Sequence, residues 1–237
     1  MTASWTPTPR EQDALKRHAP IQELGRVDAV WPGLADRFGT VTALDAPHAA
    51  HPERLSFGEL AERIATAAAA FRAHGVDSGA VVALFSENSP RWLVADQGLM
   101  RAGAADAVRG ASAPVEELRY ILEDCGATAL VVQNAELWSR LALSSDQRSR
   151  LSLVLQLEGV AAEGVMGWEQ FLALGSGRDP VQSAASSEAV ATILYTSGTT
   201  GRPKGVLLSE ANVLAHAAAA ARECALRATD VWGHFAP

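Results

Sequence analysis

Apolar positions recur at helical spacing from Leu60 through Ile64 and Ala67 to Phe71. Ser56 and Glu59, three residues apart, stand before them as a capping box, and Gly75 stands where such a helix would stop. Residues 1–55 are rich in Pro, His and Ala, and only Val27 to Phe38 hints at a helix there. Further on, Val81 to Phe85 is an apolar run of strand length. The polar turn Glu87-Asn88-Ser89-Pro90 leads into a helix from about Arg91 to Ala102, closed by Gly103. Pro114 opens a third helix at a permitted first-turn position, and Gly126 ends it.

Ala129 to Val132 and Leu151 to Leu157 read as buried strands, and Gly175 to Ser187 reads as a Gly/Ser/Pro-bearing linker. Ala191 to Tyr195 is a strand, and Ser209 caps a last helix through about Leu226. Strands alternating with helices predict an α/β fold with a parallel-rich sheet and helices on both faces. Such folds place ligand loops beyond the carboxyl ends of their strands. The most unusual segment of the chain falls there, after the strand that ends at Tyr195.

That segment is Tyr195-Thr-Ser-Gly-Thr-Thr-Gly-Arg-Pro-Lys-Gly-Val206. Thr196, Ser197, Thr199 and Thr200 crowd four hydroxyls into five positions. Gly198, Gly201 and Gly205 allow positive φ and close backbone approach. Successive amide N–H groups can then converge into an anion-binding concavity. Pro203 stiffens the exit, and Lys204 adds a point charge on a long stem. The inventory suits an oligophosphate whose charge is held while one phosphorus is attacked. The plainer reading, a flexible turn, does not account for this order of residues after an apolar strand. Neither the Walker nor the Rossmann glycine spacing is present.

Tyr195 to Gly205 resembles the signature phosphate loop of the acyl-adenylate-forming superfamily, which includes acyl-CoA and acyl-ACP synthetases, luciferases and peptide-synthetase adenylation domains. Leu55 to Ile64 and Val82 to Trp92 resemble that family's early helix and the following strand and turn. Ala95 to Gly110 is similar to long-chain fatty acyl-CoA and acyl-ACP synthetases of cyanobacterial and plant type. The resemblance implies the N-terminal part of the large domain of an adenylate-forming enzyme. Residues 1–30 form a variable segment, 31–180 an N-terminal α/β subdomain, and 181–237 the start of the next subdomain.

It further implies ATP and Mg2+ as cofactors and a two-step reaction. A carboxylate attacks the α-phosphorus to give acyl-AMP, and a thiol of CoA or a carrier protein then displaces AMP. Thr196, Ser197, Gly198, Thr199, Thr200, Gly201 and Lys204 would bind the β- and γ-phosphates, with Lys204 also catalytic in supporting the leaving pyrophosphate; Arg202, at a variable family position, takes no role. Two departures stand out. Glu210 occupies a place where the family often has His, a position where a carboxylate suits the helix dipole. The chain also stops at Pro237, before the adenine, ribose and magnesium segments of the family, so it is expected to be incomplete and inactive by itself. A fatty acid is the expected substrate. An aryl or amino acid, and a catalytically inactive fragment, remain as alternatives.

The totals narrow the setting. A formal charge of −7 argues against a nucleic-acid partner. With 48% hydrophobic and 20% charged residues the composition is that of a soluble globular chain. No signal peptide or run long enough to span a bilayer is visible, so a cytoplasmic location is expected, with room for peripheral membrane contact. Cys125 and Cys224 have no partners at metal-ligand spacing. His216 and His234 read as lone histidines, Trp92, Trp138 and Trp168 as core or cover aromatics, and Glu116-Glu117 and Glu123-Asp124 as solvated helix faces.

Overall fold

A computed structural model describes residues 26–178, 181, 186–196, 202–227 and 230–233. A 3₁₀ turn at Val27–Ala29 leads into α1 (Val30–Phe38), followed by a hairpin of β1 (Thr42–Ala46) and β2 (Glu53–Ser56). Ser56 then caps α2 (Phe57–Ala73) as its sequence predicts: its hydroxyl accepts the Glu59 N–H while the Glu59 carboxylate accepts the Ser56 N–H. The alternating part runs β3 (Val81–Phe85), α3 (Pro90–Ala102), β4 (Ala105–Arg109), α4 (Val115–Asp124) and β5 (Ala129–Val132). Two short helices, α5 (Ala135–Leu141) and α6 (Ser145–Ser149), lead to β6 (Leu153–Gln156) and β7 (Met166–Gly167). Then come α7 (Trp168–Gly175), β8 (Val190–Thr196), β9 (Lys204–Ser209) and α8 (Glu210–Glu223).

Seven strands form one sheet in the order β7-β6-β5-β3-β4-β8-β9. Every neighbouring pair is parallel except β8 with β9. Alternate residues of the strands serve opposite faces. Val82 and Leu84 pack with α2, α3 and α7 residues such as Ile64, Leu99 and Phe171. Ala83 and Phe85 pack instead with Leu118, Ile121 and Leu137 of α4 and α5. Helices therefore cover both faces, and buried strands need the apolar runs seen in the sequence.

Several elements were not legible in the pattern. The β1–β2 hairpin, β4, β9 and the three short helices α5, α6 and α7 carry too few apolar repeats. Gly175, expected to begin a linker, is instead buried at the end of α7 against Thr66 of α2. The last helix also ends earlier than expected, at Glu223, because Ala225 turns to positive φ. Small residues set the helix spacing: a Cβ on Gly98 of α3 would lie 2.8 Å from the Ala67 Cβ of α2.

The missed strand β4 holds an unusual core residue. Asp106 is fully buried, beside Asp96 of α3 and Thr192 of β8. Neither Asp106 oxygen has a well-aligned hydrogen bond. Gln97 donates to Asp96 Oδ2 at 2.7 Å and accepts the Trp31 indole N–H at 2.7 Å, so a polar chain runs from α1 to the acid pair. Burial pushes the Asp106 carboxyl well above the usual carboxylate range, and the Asp96 charge adds to this; burial raises Asp96 as well. Two buried carboxylates in contact retain a proton rather than ionise together.

This has a measurable sign. Folding takes up a proton here, so the contribution to stability is full below about pH 4, the unfolded carboxylate range, and is lost as pH rises through the raised folded values. Asp106→Asn stays neutral at every pH. Urea midpoints between pH 4 and 8 should fall with rising pH more steeply for the wild type than for the variant. Parallel pH profiles of the two chains would exclude a shared proton.

Candidate phosphate-binding site

The sheet brings the carboxyl ends of β3, β4 and β8 to one edge, because these strands are parallel neighbours. Since α3 covers one face and α4 the other, the connections leaving β3 and β4 diverge, which makes a topological switch point. The protein fills that crevice with its own side chain. Glu87 Oε1 accepts the Ser112 N–H at 2.8 Å, the Glu87 N–H donates to Gln133 at 3.1 Å, and a Cβ on Gly110 would lie 3.0 Å from Glu87 Oε2. A carboxylate at the crevice repels phosphate. Beside it Arg109 is paired with Glu117 at 2.7 Å.

The neighbouring strand is arranged differently. β8 and β9 are an antiparallel hairpin, and Thr196 and Lys204 are direct partners at the end where the two strands are connected. Cross-strand partners share a face, so the Lys204 ammonium and the Thr196 hydroxyl emerge side by side. Both residues are exposed, and among the described residues Lys204 forms no ion pair. Ser197, Gly198, Thr199, Thr200 and Gly201 lie outside the described residues. The sequence had suggested a strand, a loop and then a helix. Instead a six-residue strand separates the loop from α8 and places that helix N-terminus roughly 20 Å away. The dipole of α8 therefore contributes little at Thr196 and Lys204.

Gly205 has a role different from the one expected. It is not among the glycines of positive φ; a Cβ there would lie 3.1 Å from Tyr195 Cζ and 3.0 Å from Ile193 Cγ2. Its missing side chain lets the Tyr195 ring lie against β9. Tyr195 donates its hydroxyl to Asp124 Oδ2 at 2.8 Å, and Tyr120 donates to Asp124 Oδ1 at 3.0 Å. Burial, followed by the Asp124 hydrogen bond, raises the Tyr195 phenol, so it is protonated at neutral pH. Arg202, which has no role by resemblance, lies over the Tyr120 ring at 5.4 Å.

Glu210 is a second missed contact. It is buried and accepts the Val27 N–H at 3.2 Å, tying the start of α8 to the turn before α1. Burial raises its carboxyl, so its part is a packed hydrogen bond as much as a complement to the helix dipole. His216 is exposed on α8, and Trp168 is buried in the core. His234 lies outside the described residues. Burial pushes the Cys125 thiol up to about 11, which leaves it unreactive at neutral pH. Among the described residues no three His, Cys, Asp or Glu side chains gather to hold a metal, and no helix is long and apolar enough to cross a membrane.

Residues 34–237, which include this hairpin and the whole seven-stranded sheet, match the AMP-binding enzyme family. The chain belongs to that family. It is 34% identical over 207 residues to the long-chain-fatty-acid–[acyl-carrier-protein] ligase AEE15, chloroplastic, of Arabidopsis thaliana, a match covering 79% of this chain and 28% of that protein. It is 30% identical over 205 residues to the long-chain-fatty-acid–CoA ligase ACSBG2 of Xenopus laevis, covering 83% of this chain and 28% of that one. A crystal structure of a long-chain-fatty-acid-CoA ligase (FadD1) from Archaeoglobus fulgidus superposes with a TM-score of 0.76 at 28% identity, over 86% of this chain and 40% of the other. The chain thus spans under a third of the length of the two curated relatives. The mostly parallel sheet with helices on both faces is the fold it shares with the Archaeoglobus fulgidus structure.

Proposed function

We propose that these residues form the nucleotide-phosphate-binding part of an ATP-dependent ligase that converts a fatty acid to acyl-AMP and then to a thioester. The observation that carries the reading is the connected end of the β8–β9 hairpin. Thr196 and Lys204, which forms no ion pair among the described residues, stand side by side there, at the two ends of the segment with the family's hydroxyl- and glycine-rich order. ATP with its Mg2+ supplies an electrophilic phosphorus and a pyrophosphate leaving group. Thr196, Ser197, Thr199 and Thr200 would donate hydroxyl hydrogen bonds to the β- and γ-phosphates, with Gly198 and Gly201 opening the backbone amides to the same charge. Lys204 would neutralise charge as pyrophosphate departs. Thr196 and Lys204 fit such a polyanion, since an exposed ammonium and an exposed hydroxyl are cross-strand neighbours. The described residues gather no carboxylate set for a metal, so Mg2+ would come with the nucleotide.

Fatty acids are the proposed substrates because relatives with that printed activity cover most of this chain. The thiol acceptor would be CoA or an acyl carrier protein. Asp96, Gly98 and Asp106, which carry the sequence likeness to the long-chain group, lie buried in the core and not beside the hairpin end. Their link to substrate is therefore through ancestry rather than contact.

The test is acid-dependent ATP–pyrophosphate exchange by the complete polypeptide, with acetate, benzoate, amino acids and fatty acids compared by kcat/KM. Fatty acids are expected to be preferred, and a preference for another class would reject this substrate assignment.

A further inference from the structure

Asp124 is placed against the usual electrostatic preference. It is the last residue of α4, where a carboxylate meets the negative end of the helix dipole. It is also exposed, so packing does not hold it there. What it does is accept two phenol hydrogen bonds, one on each oxygen, from Tyr195 at 2.8 Å and from Tyr120 at 3.0 Å. Tyr195 is the residue before Thr196, at the entry to the loop. Tyr120 lies under Arg202, which leads into Lys204 at the exit, with the guanidinium 5.4 Å from the ring centroid. Both stems of the loop therefore reach the same turn of α4. Gly205 completes the arrangement, since the Tyr195 ring occupies the space that a Cβ there would need.

We propose that Asp124, with Tyr120, is a positioning clamp that fixes the Tyr195 and Arg202 stems and so holds the adjoining Thr196 and Lys204 in place for phosphate. The proposal rests on the phosphate-binding reading of that loop. The backbone and side chains of Thr196 and Lys204 lose conformational freedom when they hold an anion. Fixing both stems beforehand removes part of that cost, as preorganisation does in other sites. Arg202 gains a second part. Its charge is held over an aromatic face beside Asp124 rather than left free to pair with the phosphate, which leaves Lys204 as the mobile cation. None of these clamp residues touches the ligand, so they are positioning residues.

Two measurements on the 237-residue chain separate the clamp from the reading it rests on. Amide exchange without ligand reports the stems. Asp124→Ala and the near-isosteric Asp124→Asn should speed exchange at Tyr195, Thr196, Arg202 and residues 204–206, on the order of tenfold for alanine and less for asparagine, whose oxygen still accepts one phenol. Thermal midpoints should stay close to wild type, because Asp124 is exposed. Tyr120→Phe keeps the ring under Arg202 and should disturb the stems less than Tyr120→Ala. Unchanged exchange in all four variants would overturn the clamp, as would a uniform loss of protection across the sheet.

Titration with inorganic tripolyphosphate reports the loop. Wild type is expected to bind, Lys204→Ala to lose binding, and Asp124→Ala to bind about tenfold more weakly, the equivalent of losing one well-placed hydrogen bond. Wild-type affinity in Asp124→Ala alongside loss in Lys204→Ala would overturn the positioning role and leave the phosphate reading intact. No binding by the wild type, together with faster exchange in Asp124→Ala, would reject the phosphate reading and with it the functional half of the clamp.

Discussion

Lys204→Ala is expected to slow acyl-AMP formation by the complete polypeptide about 10- to 1000-fold, the range for removing one electrostatic donor. That corresponds to about 1.4 to 4 kcal/mol of transition-state stabilisation. Lys204 is exposed, forms no ion pair among the described residues and lies beside Thr196, so its charge is available to an incoming polyanion. With the α8 N-terminus at the far end of β9, no helix dipole nearby replaces it. The loss should fall on one step. Pyrophosphate leaves during adenylation, whereas thioester formation starts from acyl-AMP after it has gone. Supplying preformed acyl-AMP should restore most of the rate, and an equally large defect with that substrate would remove Lys204 from this role. Lys204→Arg keeps the charge and should fall between the two.

Gly175→Ala is expected to destabilise the fold by about 1–3 kcal/mol, the usual cost of inserting a methyl group into a packed interior. The added carbon would meet the Thr66 carbonyl oxygen and come within 2.9 Å of the Ala70 amide nitrogen, both in the backbone of α2. A helix backbone cannot swing aside as a long side chain can, so α7 must move off α2. That would open the contact in which Phe171 and Phe71 meet at 4.6 Å between ring centroids. Alanine's better helix propensity offsets about 1 kcal/mol of the loss at most. The thermal midpoint should drop by about 2–12 °C. Gly33→Ala, in α1 with nothing within 4 Å of the new carbon, is the control and should be neutral or slightly stabilising. Equal midpoints for Gly175→Ala and wild type would show that α7 does not pack on α2 in this way.

The sequence by itself determined what depends on neighbours along the chain. Ser56 with Glu59, Ser89 with Trp92, and Ser209 with Asn212 satisfy free amides at helix starts through side chains one turn away, so those helices were legible from local order. The apolar runs at Val81–Phe85 and Ala129–Val132 could only be buried strands, and each became one. The hydroxyl- and glycine-rich order after Tyr195 identified the family before any distance was known.

Tertiary structure decided what depends on residues remote in sequence. β4 carries Asp106 as its second residue and reads poorly as a strand; it is one because β3 and β8 pair with it on both sides and Asp96 lies beside its acid. β9 starts with Lys and Gly, and its strand character comes from pairing with β8. Gly175 looked like the start of a linker because no local pattern reports a backbone lying across its Cα. Asp124 looked like part of a solvated helix face and Arg202 had no role, and only folding brought both to Tyr120 and Asp124 also to Tyr195. Local hydrogen bonding and periodicity are written in short windows of sequence. Close approach, shared protons and the anchoring of a loop arise from groups tens of residues apart, and their energies exist only once the sheet has assembled.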